Sequence, residues 1–334
     1  MPHAPKNKLA WRPSADIVSL KKRAQILAHI RAFFDARGLY EVETPALSRG
    51  TVTDPFIDGF SLQSLCFGEN TTRYLQTSPE YAMKRLLAAG SGDIYQICKA
   101  FRNDEIGQYH NPEFTILEWY RSNFDMQDLI NEVSDLLCML LGIPNLEQTT
   151  YQHLFLKYCQ FDPLQITAKE LMKYATHKGH LAYLQSLQKQ GNSQSHIQDS
   201  LLQMLFYTEI EPNIGQIIPM VVTHFPAAQS ALATMSEDGL SANRFEVYFK
   251  SIELANGFNE LTDAKEQRQR FEQDNVKRNV LGKAERPIDS AFIAALDSGL
   301  PPCSGVALGI DRLIMLLLGK THIKQVISFD NDNA

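Results

Sequence analysis

The sequence lacks several features that would place it in common classes of protein. It has five cysteines and no C-x-x-C pair, a usage typical of reduced thiols rather than of a disulfide framework or a zinc site. No apolar run approaches the roughly 20 residues that a membrane-spanning helix needs. The N-terminal run MPHAPKNKLAWRP is basic but has no apolar stretch of the kind found in signal peptides. These absences predict a cytoplasmic protein without membrane association.

Two common nucleotide-binding patterns are also missing. Neither GxxxxGK[ST], the phosphate loop of P-loop ATPases, nor the GxGxxG of dinucleotide-binding folds occurs. Positive charges are also fewer than negative ones, since the 334 residues carry a net charge of −6. That balance argues against indiscriminate binding of nucleic acid, which depends on neutralising phosphates with Lys and Arg.

Hydrophobic periodicity predicts an α+β fold. Apolar residues at helical spacing predict a first helix over 20–34, with Gly38 behind it, another ending at Gly142 and a last one stopped by Gly319. Alternation predicts strands in GDIYQICKAFRN, EFTILEWYRS, IIPMVVTHFP and RFEVYFKSIELANGF. Strands joined mostly by hairpins indicate an antiparallel sheet flanked by helices. We expect a flexible arm over 1–18, one domain over 19–334 and, within it, a helical insertion over 145–212 with little chemistry.

Three segments carry residues suited to a polyphosphate and a metal ion. In FRNDEIGQYHNPEFTILEWY, an Arg leaving a strand can hold a phosphate with its planar fork, and Phe114 can stack on a base. In RFEVYFKSIELANGFNEL, Glu246 and Glu253 can converge on Mg²⁺ if the chain turns near Lys250 and Ser251. In GVALGIDRL, small residues permit close backbone approach, and the helix that follows has an N-terminus that favours anions.

Each segment also has a simpler interpretation. The first could be an exposed hairpin with a solvated charged face, the second an ordinary charged strand, and the third one more glycine-rich turn into a helix. Taken separately, none of the three decides between the functional and the structural interpretation.

The order and wording of these segments resemble the motifs of class II aminoacyl-tRNA synthetases. The segment around TPAL is similar to motif 1, FRN followed by HNPEFT-x-LEWY to motif 2, and IELANGF-x-EL followed by G-x-A-x-G-x-DRL to motif 3. The resemblance is closest to lysyl-tRNA synthetase and extends from about Lys21 to Leu318. It implies an ATP site joined to an amino-acid site, and a homodimer formed through the first helix and EVETPAL.

The resemblance also implies roles for single residues. Arg102 would hold the α-phosphate, Phe114 and Arg312 would lie on opposite faces of the adenine, and Glu246 and Glu253 would bind Mg²⁺. Arg102 and Arg312 are thus the implied catalytic residues. The other positions implied at the nucleotide are Asn103, Asp104, His110, Asn111, Leu254 and Gly309. Those implied at the amino acid are Ser78, Pro79, Glu80, Glu118, Tyr120, Asn256, Phe258, Glu260 and Ala307. Several carboxylates suit a dication such as lysine, whose ammonium groups need paired charge when desolvated.

The chain departs from lysyl-tRNA synthetases in several places. Ala307 stands where they have Gly, Asp104 where Glu is usual and Tyr109 where they have Arg. Their anticodon-binding domain has no counterpart before the first helix, so we expect no anticodon-dependent binding of tRNA. TSPEY and CSGVALG resemble paralogues without that domain, which use ATP to join (R)-β-lysine to a lysine of elongation factor P. The resemblance therefore implies ATP and Mg²⁺ as cofactors, (R)-β-lysine as substrate and elongation factor P as protein acceptor.

Two other functions fit the same resemblance. One is a minimal lysyl-tRNA synthetase that charges tRNA, against which the missing anticodon-binding domain argues. The other is a regulatory paralogue without catalysis, against which the intact Arg102, Glu246, Glu253 and Arg312 argue.

Overall fold

A computed structural model describes residues 11–66, 69–103 and 105–334 of the chain. The strands are β1 (Tyr40–Glu41), β2 (Leu47–Ser48), β3 (Ser61–Cys66), β4 (Glu69–Leu75), β5 (Ile94–Phe101), β6 (Glu113–Ser122), β7 (Glu147–Thr150), β8 (Met220–Thr223), β9 (Arg244–Phe249), β10 (Ile252–Asn259) and β11 (Cys303–Gly309). The α-helices are α1 (Ile17–Asp35), α2 (Glu80–Ala88), α3 (Met126–Leu141), α4 (Tyr151–Tyr158), α5 (Ala168–His177), α6 (Leu181–Lys189), α7 (Gln194–Leu205), α8 (Ala264–Val280), α9 (Ser290–Gly299) and α10 (Ile310–Leu317).

The central sheet has eight strands in the order β1-β5-β6-β11-β10-β9-β8-β7. Neighbours from β5 through to β8 are antiparallel. The outer pairs, β1 with β5 and β7 with β8, are parallel. The prediction of an antiparallel sheet flanked by helices is therefore confirmed, and each edge of the sheet adds one parallel pair. A second, three-stranded sheet has the order β2-β4-β3.

Local capping residues explain where the main helices begin and end. Asp125 accepts the N–H of Asp128 at 2.8 Å before α3, and Gly142 ends that helix with a φ of 67° that few other residues adopt. Helix α1 begins at Ile17, capped by Asp16, so the predicted arm boundary at residue 18 lies inside this helix. Residues 1–10 of that arm lie outside the described residues, and its flexibility remains a prediction. No helix in the described ranges is long and apolar enough to cross a bilayer.

The region predicted as a helical insertion begins with a strand. β7 pairs with β8 and extends the central sheet, and α4 to α7 follow it. These helices surround an apolar core of their own, in which Tyr151 stacks on Phe206 at a ring separation of 5.1 Å. The division into domains stays a prediction, although most of this region is helical as expected.

The two faces of the central sheet differ in character. One face packs against α1, α3 and α10 through residues such as Leu117, Trp119, Val247 and Val306, which form the main core. Since side chains alternate along a strand, their neighbours point to the opposite face. There Glu118, Ala307, Asn256 and Glu246 lie in register across β6, β11, β10 and β9.

A β-bulge in β10 decides which carboxylates share that second face. The chain turns at Lys250 and Ser251, both with positive φ, which confirms the predicted turn. The register then shifts after Glu253, so that Glu253 pairs with Tyr248 whereas Asn256 pairs with Glu246. An unbroken strand would send Glu253 and Asn256 to opposite faces, and the bulge brings both to the face that carries Glu246.

Candidate active site

The second face of the central sheet lines a cavity of about 1650 Å³. Among the described residues that the resemblance implies, Asn103 does not line it. Asp104 lies outside the described residues. The others all line it: Ser78, Pro79, Glu80, Arg102, His110, Asn111, Phe114, Glu118, Tyr120, Glu246, Glu253, Leu254, Asn256, Phe258, Glu260, Ala307, Gly309 and Arg312.

Three of the residues implied at the nucleotide have structural roles. The N–H of Asn103 donates to the carbonyl of Asp58 at 2.6 Å. Asn111 donates its amide to the carbonyl of Glu113 at 2.7 Å and accepts the N–H of Asn331 at 3.0 Å. Leu254 is only 2% exposed and packs in the main core. Any ligand contact of Leu254 must therefore come from its backbone.

Glu118 lies at the centre of the implied amino-acid pocket and is only 2% exposed. It accepts hydrogen bonds from Ser78 Oγ at 2.5 Å and from the Tyr120 hydroxyl at 3.3 Å. Burial, and then the charge of Glu80, raise the pKa of this carboxyl to about 8. A cation beside Glu118 would relieve both effects, so the site favours an ammonium ligand.

Lys84 of α2 is fully buried beside this pocket. Its ammonium lies 2.6 Å from Glu80 and 2.5 Å from Glu260. Burial opposes protonation, but the two carboxylates raise the pKa of Lys84 above its usual value. With Glu118, three carboxyl groups face one ammonium, so two of them can ionise fully only beside a cationic ligand. Sequence reasoning missed Lys84, although it follows Glu80 at the i, i+4 spacing of ion pairs in helices.

Small residues of β11 shape the same pocket. A Cβ added to Gly305 would overlap the ring of Tyr120 and lie 2.6 Å from Glu260 Oε1. Gly305 is therefore required for close packing within the protein. Ala307 lies two residues further along, in register between Glu118 and Asn256, so its methyl group faces the ligand side of the sheet.

Arg312 is firmly held at the implied nucleotide end. It donates to the carbonyl of Glu253 at 2.9 Å and to that of Tyr109 at 3.3 Å, and its Nη2 lies 2.6 Å from His110 Nε2. A guanidinium can only donate, so Nε2 of His110 must accept. Burial and the charge of Arg312 both lower the pKa of His110. His110 thus serves as a neutral support for Arg312 in this structure.

Arg102 is held much more loosely. It lies 3.4 Å from the carbonyl of Thr77 and 3.7 Å from Glu105. Its guanidinium is 5.1 Å from the ring centre of Phe114. The two residues that the resemblance assigns to the phosphate and the adenine are thus in contact with each other. The contacts of Arg102 are thus longer than those that hold Arg312.

The implied metal carboxylates lie on neighbouring strands. Glu246 is 6% exposed and accepts hydrogen bonds from Arg244 and the Tyr248 hydroxyl. Its pKa is raised chiefly by burial, against the effect of Arg244, and also by Glu253. Burial and the charges of Glu253 and Glu246 raise the pKa of Glu211 to about 7. Oxygen donors that repel one another in this way suit Mg²⁺. No three acidic, His or Cys residues described could hold an ion by themselves, so phosphate oxygens would complete the site.

Arg244 connects this carboxylate pair to the helical insertion. It donates to the carbonyl of Gln229 at 2.6 Å and to Asn256 Oδ1 at 3.3 Å. Gln229 in turn donates to Asp199 of α7 at 2.8 Å, and Asp199 lines the cavity. The insertion thus contributes Asp199 to the wall of the cavity, and the expectation that it carries little chemistry stays a prediction. Arg244 was missed by sequence reasoning, although it precedes Glu246 by two residues on one strand.

Comparisons with known proteins agree with this geometry. The family model described as tRNA synthetases class II (D, K and N) matches residues 6–333. The chain is 52% identical over 328 residues to the elongation factor P–(R)-beta-lysine ligase of Pectobacterium atrosepticum, covering 97% of this chain and 98% of that protein. The protein of the same name from Pectobacterium carotovorum subsp. carotovorum has the same identity and coverage.

The raised pKa of Glu118 predicts a change in stability with pH. The unfolded chain loses this proton near the usual value of 4.5, whereas the folded protein keeps it up to about 8. The free energy of unfolding therefore falls as pH rises between these values, because the unfolded state binds fewer protons. Glu118→Gln removes this slope, so from pH 5 to 9 it should gain at least about 1 kcal/mol relative to wild type. Urea unfolding at several pH values measures this difference.

The exposed Glu272 supplies the control. The unfolding free energy of Glu272→Gln should follow wild type at every pH. If the curve of Glu118→Gln also runs parallel to that of wild type, the carboxyl of Glu118 is not protonated in the folded protein at neutral pH.

Proposed function

The chain belongs to the class II tRNA synthetase family, and from this premise we propose that it activates (R)-β-lysine with ATP and transfers it to a lysine ε-amino group of elongation factor P. The relatives named above carry this activity in their names. The observation that carries the proposal is the amino-acid pocket, where Lys84 offsets only one of the three charges that Glu80, Glu118 and Glu260 can carry, so that the other two develop fully only beside a cationic ligand. A diamino acid supplies two ammonium groups for those two charges.

In the first step the carboxylate of the amino acid attacks the α-phosphorus of ATP, and pyrophosphate leaves. The protein supplies no covalent nucleophile and acts by positioning and by stabilising charge. Arg102 moves from the ring of Phe114 to the α-phosphate, while Arg312 keeps its place against the carbonyl of Glu253. The planar adenine then fits between Phe114 and Arg312.

Glu246 and Glu253 would hold Mg²⁺ together with phosphate oxygens. The ion supplies positive charge that offsets the charge on the phosphates. Arg244 fixes the carboxylate of Glu246 from the other side. In the second step the acceptor amine attacks the carbonyl carbon of the β-lysyl adenylate, which forms an amide and releases AMP.

The proposed reaction is tested by intact-mass measurement of the acceptor. Elongation factor P incubated with the protein, ATP and (R)-β-lysine should gain the mass of one β-lysyl group, and omission of ATP should abolish the gain. Acylation of tRNA^Lys without any change of the factor would instead favour a minimal lysyl-tRNA synthetase. Absence of pyrophosphate exchange with both isomers of lysine would favour a regulatory paralogue.

Ala307 predicts selectivity for the β-isomer. Its methyl group faces the ligand between Glu118 and Asn256, where it would crowd an amine on the α-carbon more than one on the β-carbon. One methyl group typically changes selectivity by about 1–3 kcal/mol, or roughly 10- to 200-fold. Ala307→Gly should raise activation of α-lysine relative to β-lysine within this range, as measured by pyrophosphate exchange. An unchanged ratio would place the discrimination elsewhere, with Ser78 the next position to test.

We also propose that the protein is a homodimer in the cytoplasm. Ile17, Val18 and Tyr40, on α1 and β1, are 57%, 64% and 70% exposed, and these elements correspond to the motif 1 interface. The cysteines whose side chains the structure describes are free thiols, which suits a reducing compartment. Sedimentation at micromolar concentration should give twice the monomer mass, and a monomer alone would contradict the dimer. Cell fractionation checks the location.

A further inference from the structure

The cavity extends past the implied substrate positions into a region lined by α8, the loop over 51–57 and the start of α9. Four carboxylates line this extension, those of Asp54, Glu266, Asp274 and Asp289, and Glu266 is paired with Arg270 at 2.6 Å. We call this region the acidic arm. It contains none of the residues assigned above to the nucleotide or to the amino acid.

Each carboxylate of the acidic arm uses only one oxygen in contacts with the described residues. Asp274 accepts from Thr53 Oγ1 at 3.0 Å through Oδ2. Asp54 and Asp289 accept backbone N–H groups of their own turns through Oδ1. Cationic side chains line the cavity as well, among them Arg49, Arg85, Lys265, Arg270 and Lys277, but Asp54, Asp274 and Asp289 form no ion pair with a described residue. The second oxygen of each is therefore available to a ligand.

Two further polar side chains in this region lack partners within the described part of the chain. Gln267 of α8 is 1% exposed and lines the cavity, yet neither its amide nitrogen nor its amide oxygen forms a hydrogen bond. The hydroxyl of Tyr81 is likewise buried and unpaired, and its ring stacks on Phe292 at 4.6 Å. Buried polar groups are rarely left unpaired, because each costs free energy. These two groups indicate a ligand with hydrogen-bonding atoms.

Tyr81 lies where the acidic arm meets the amino-acid pocket. It follows Glu80 directly on α2, and Glu80 is an ion-pair partner of Lys84. Burial raises the pKa of its hydroxyl well above the usual value, and the charges of Glu80, Asp274, Asp54 and Asp289 raise it further. The negative charges of the pocket and of the arm thus surround one hydroxyl group.

We propose that the acidic arm binds the primary ammonium group of the acceptor lysine, that one of its carboxylates accepts a proton from this group, and that the neutral amine then attacks the carbonyl carbon of the activated amino acid and displaces AMP. This proposal rests on the proposed function, in which a second amine must approach the carbonyl carbon after the pocket is filled. Unpaired carboxylates suit that ammonium, and Gln267 and Tyr81 provide an acceptor and donors along its path. A resident metal does not fit, since no three of these groups could hold one ion.

Asp274→Asn tests the acidic arm because it keeps the shape of the side chain and removes the charge. Asp297→Asn on α9 removes the same charge at an exposed position away from the cavity. Each purified variant is assayed for pyrophosphate exchange with (R)-β-lysine, which needs no acceptor. The preformed adenylate is then offered to elongation factor P, or to hydroxylamine, a small nucleophile that is uncharged at neutral pH.

Loss of a charged hydrogen bond should lower kcat/KM for elongation factor P by roughly 10- to 100-fold in Asp274→Asn. Exchange and the hydroxylamine reaction should stay within about twofold of wild type, as should every activity of Asp297→Asn. Unchanged transfer to elongation factor P would overturn the proposal, and so would an equal loss of exchange. If Asp274→Asn does not fold, Asp54→Asn at the outer side of the arm decides in the same way. A wild type that exchanges pyrophosphate but acylates no factor would instead overturn the proposed function.

Gln267→Met provides an independent test of the arm. Removal of an unpaired buried amide should raise the melting temperature by a few degrees while transfer to elongation factor P falls. A lower melting temperature, or unchanged transfer, would mean that Gln267 does not serve the acceptor.

Discussion

The site depends on one electrostatic constraint: many carboxylates are packed into a largely buried space. Charged groups are costly to bury unless they are paired. Two cations among the described residues offset part of this charge: the buried Lys84 between Glu80 and Glu260, and the half-buried Arg244 beside Glu246. These cations pair only part of the negative charge. In the function that we propose, what remains unpaired binds the ligands, two ammonium groups at one end and a metal with phosphates at the other.

The pairing of the strands fixes the positions of these charges. In-register pairing puts Glu118, Ala307, Asn256 and Glu246 in one row across four strands. A buried cluster ties the elements behind that row together. Asp311 at the start of α10 lies 2.5 Å from Arg23 of α1 and accepts the N–H of Thr115 in β6 at 2.7 Å. Helix α1, strand β6 and helix α10 are thereby joined through a single carboxylate that is 1% exposed.

The sequence was sufficient for features that depend on local chemistry. The strand EFTILEWYRS lies at Glu113–Ser122 as predicted, because its alternation and its flanking turn residues determine both ends. Gly142 ends α3 for a similarly local reason. The turn at Lys250 and Ser251 followed from the need for Glu246 and Glu253 to converge, and both residues adopt positive φ.

Features that depend on contacts distant in sequence were missed. The bulge after Glu253 has no local signal, because its register is set by pairing with β9. The importance of Lys84 becomes visible only when Glu260, 176 positions later in the numbering, packs against it. The parallel pairing of β1 and β7 at the sheet edges likewise depends on where distant strands lie. The residues in these contacts are far apart in the sequence and close together in the fold. Hydrophobic periodicity therefore does not predict them.

We propose that the charges left unpaired by Lys84 select a diamino acid. Pyrophosphate exchange with matched amino acids tests this selection. (R)-β-lysine is compared with (R)-3-aminohexanoic acid, which lacks the ε-amino group, and with 6-aminohexanoic acid, which lacks the β-amino group. Of these three acids, only (R)-β-lysine is predicted to support exchange. Each of the other two has a single amino group and leaves one buried carboxylate unpaired. Comparable exchange with either monoamino acid would contradict the claim.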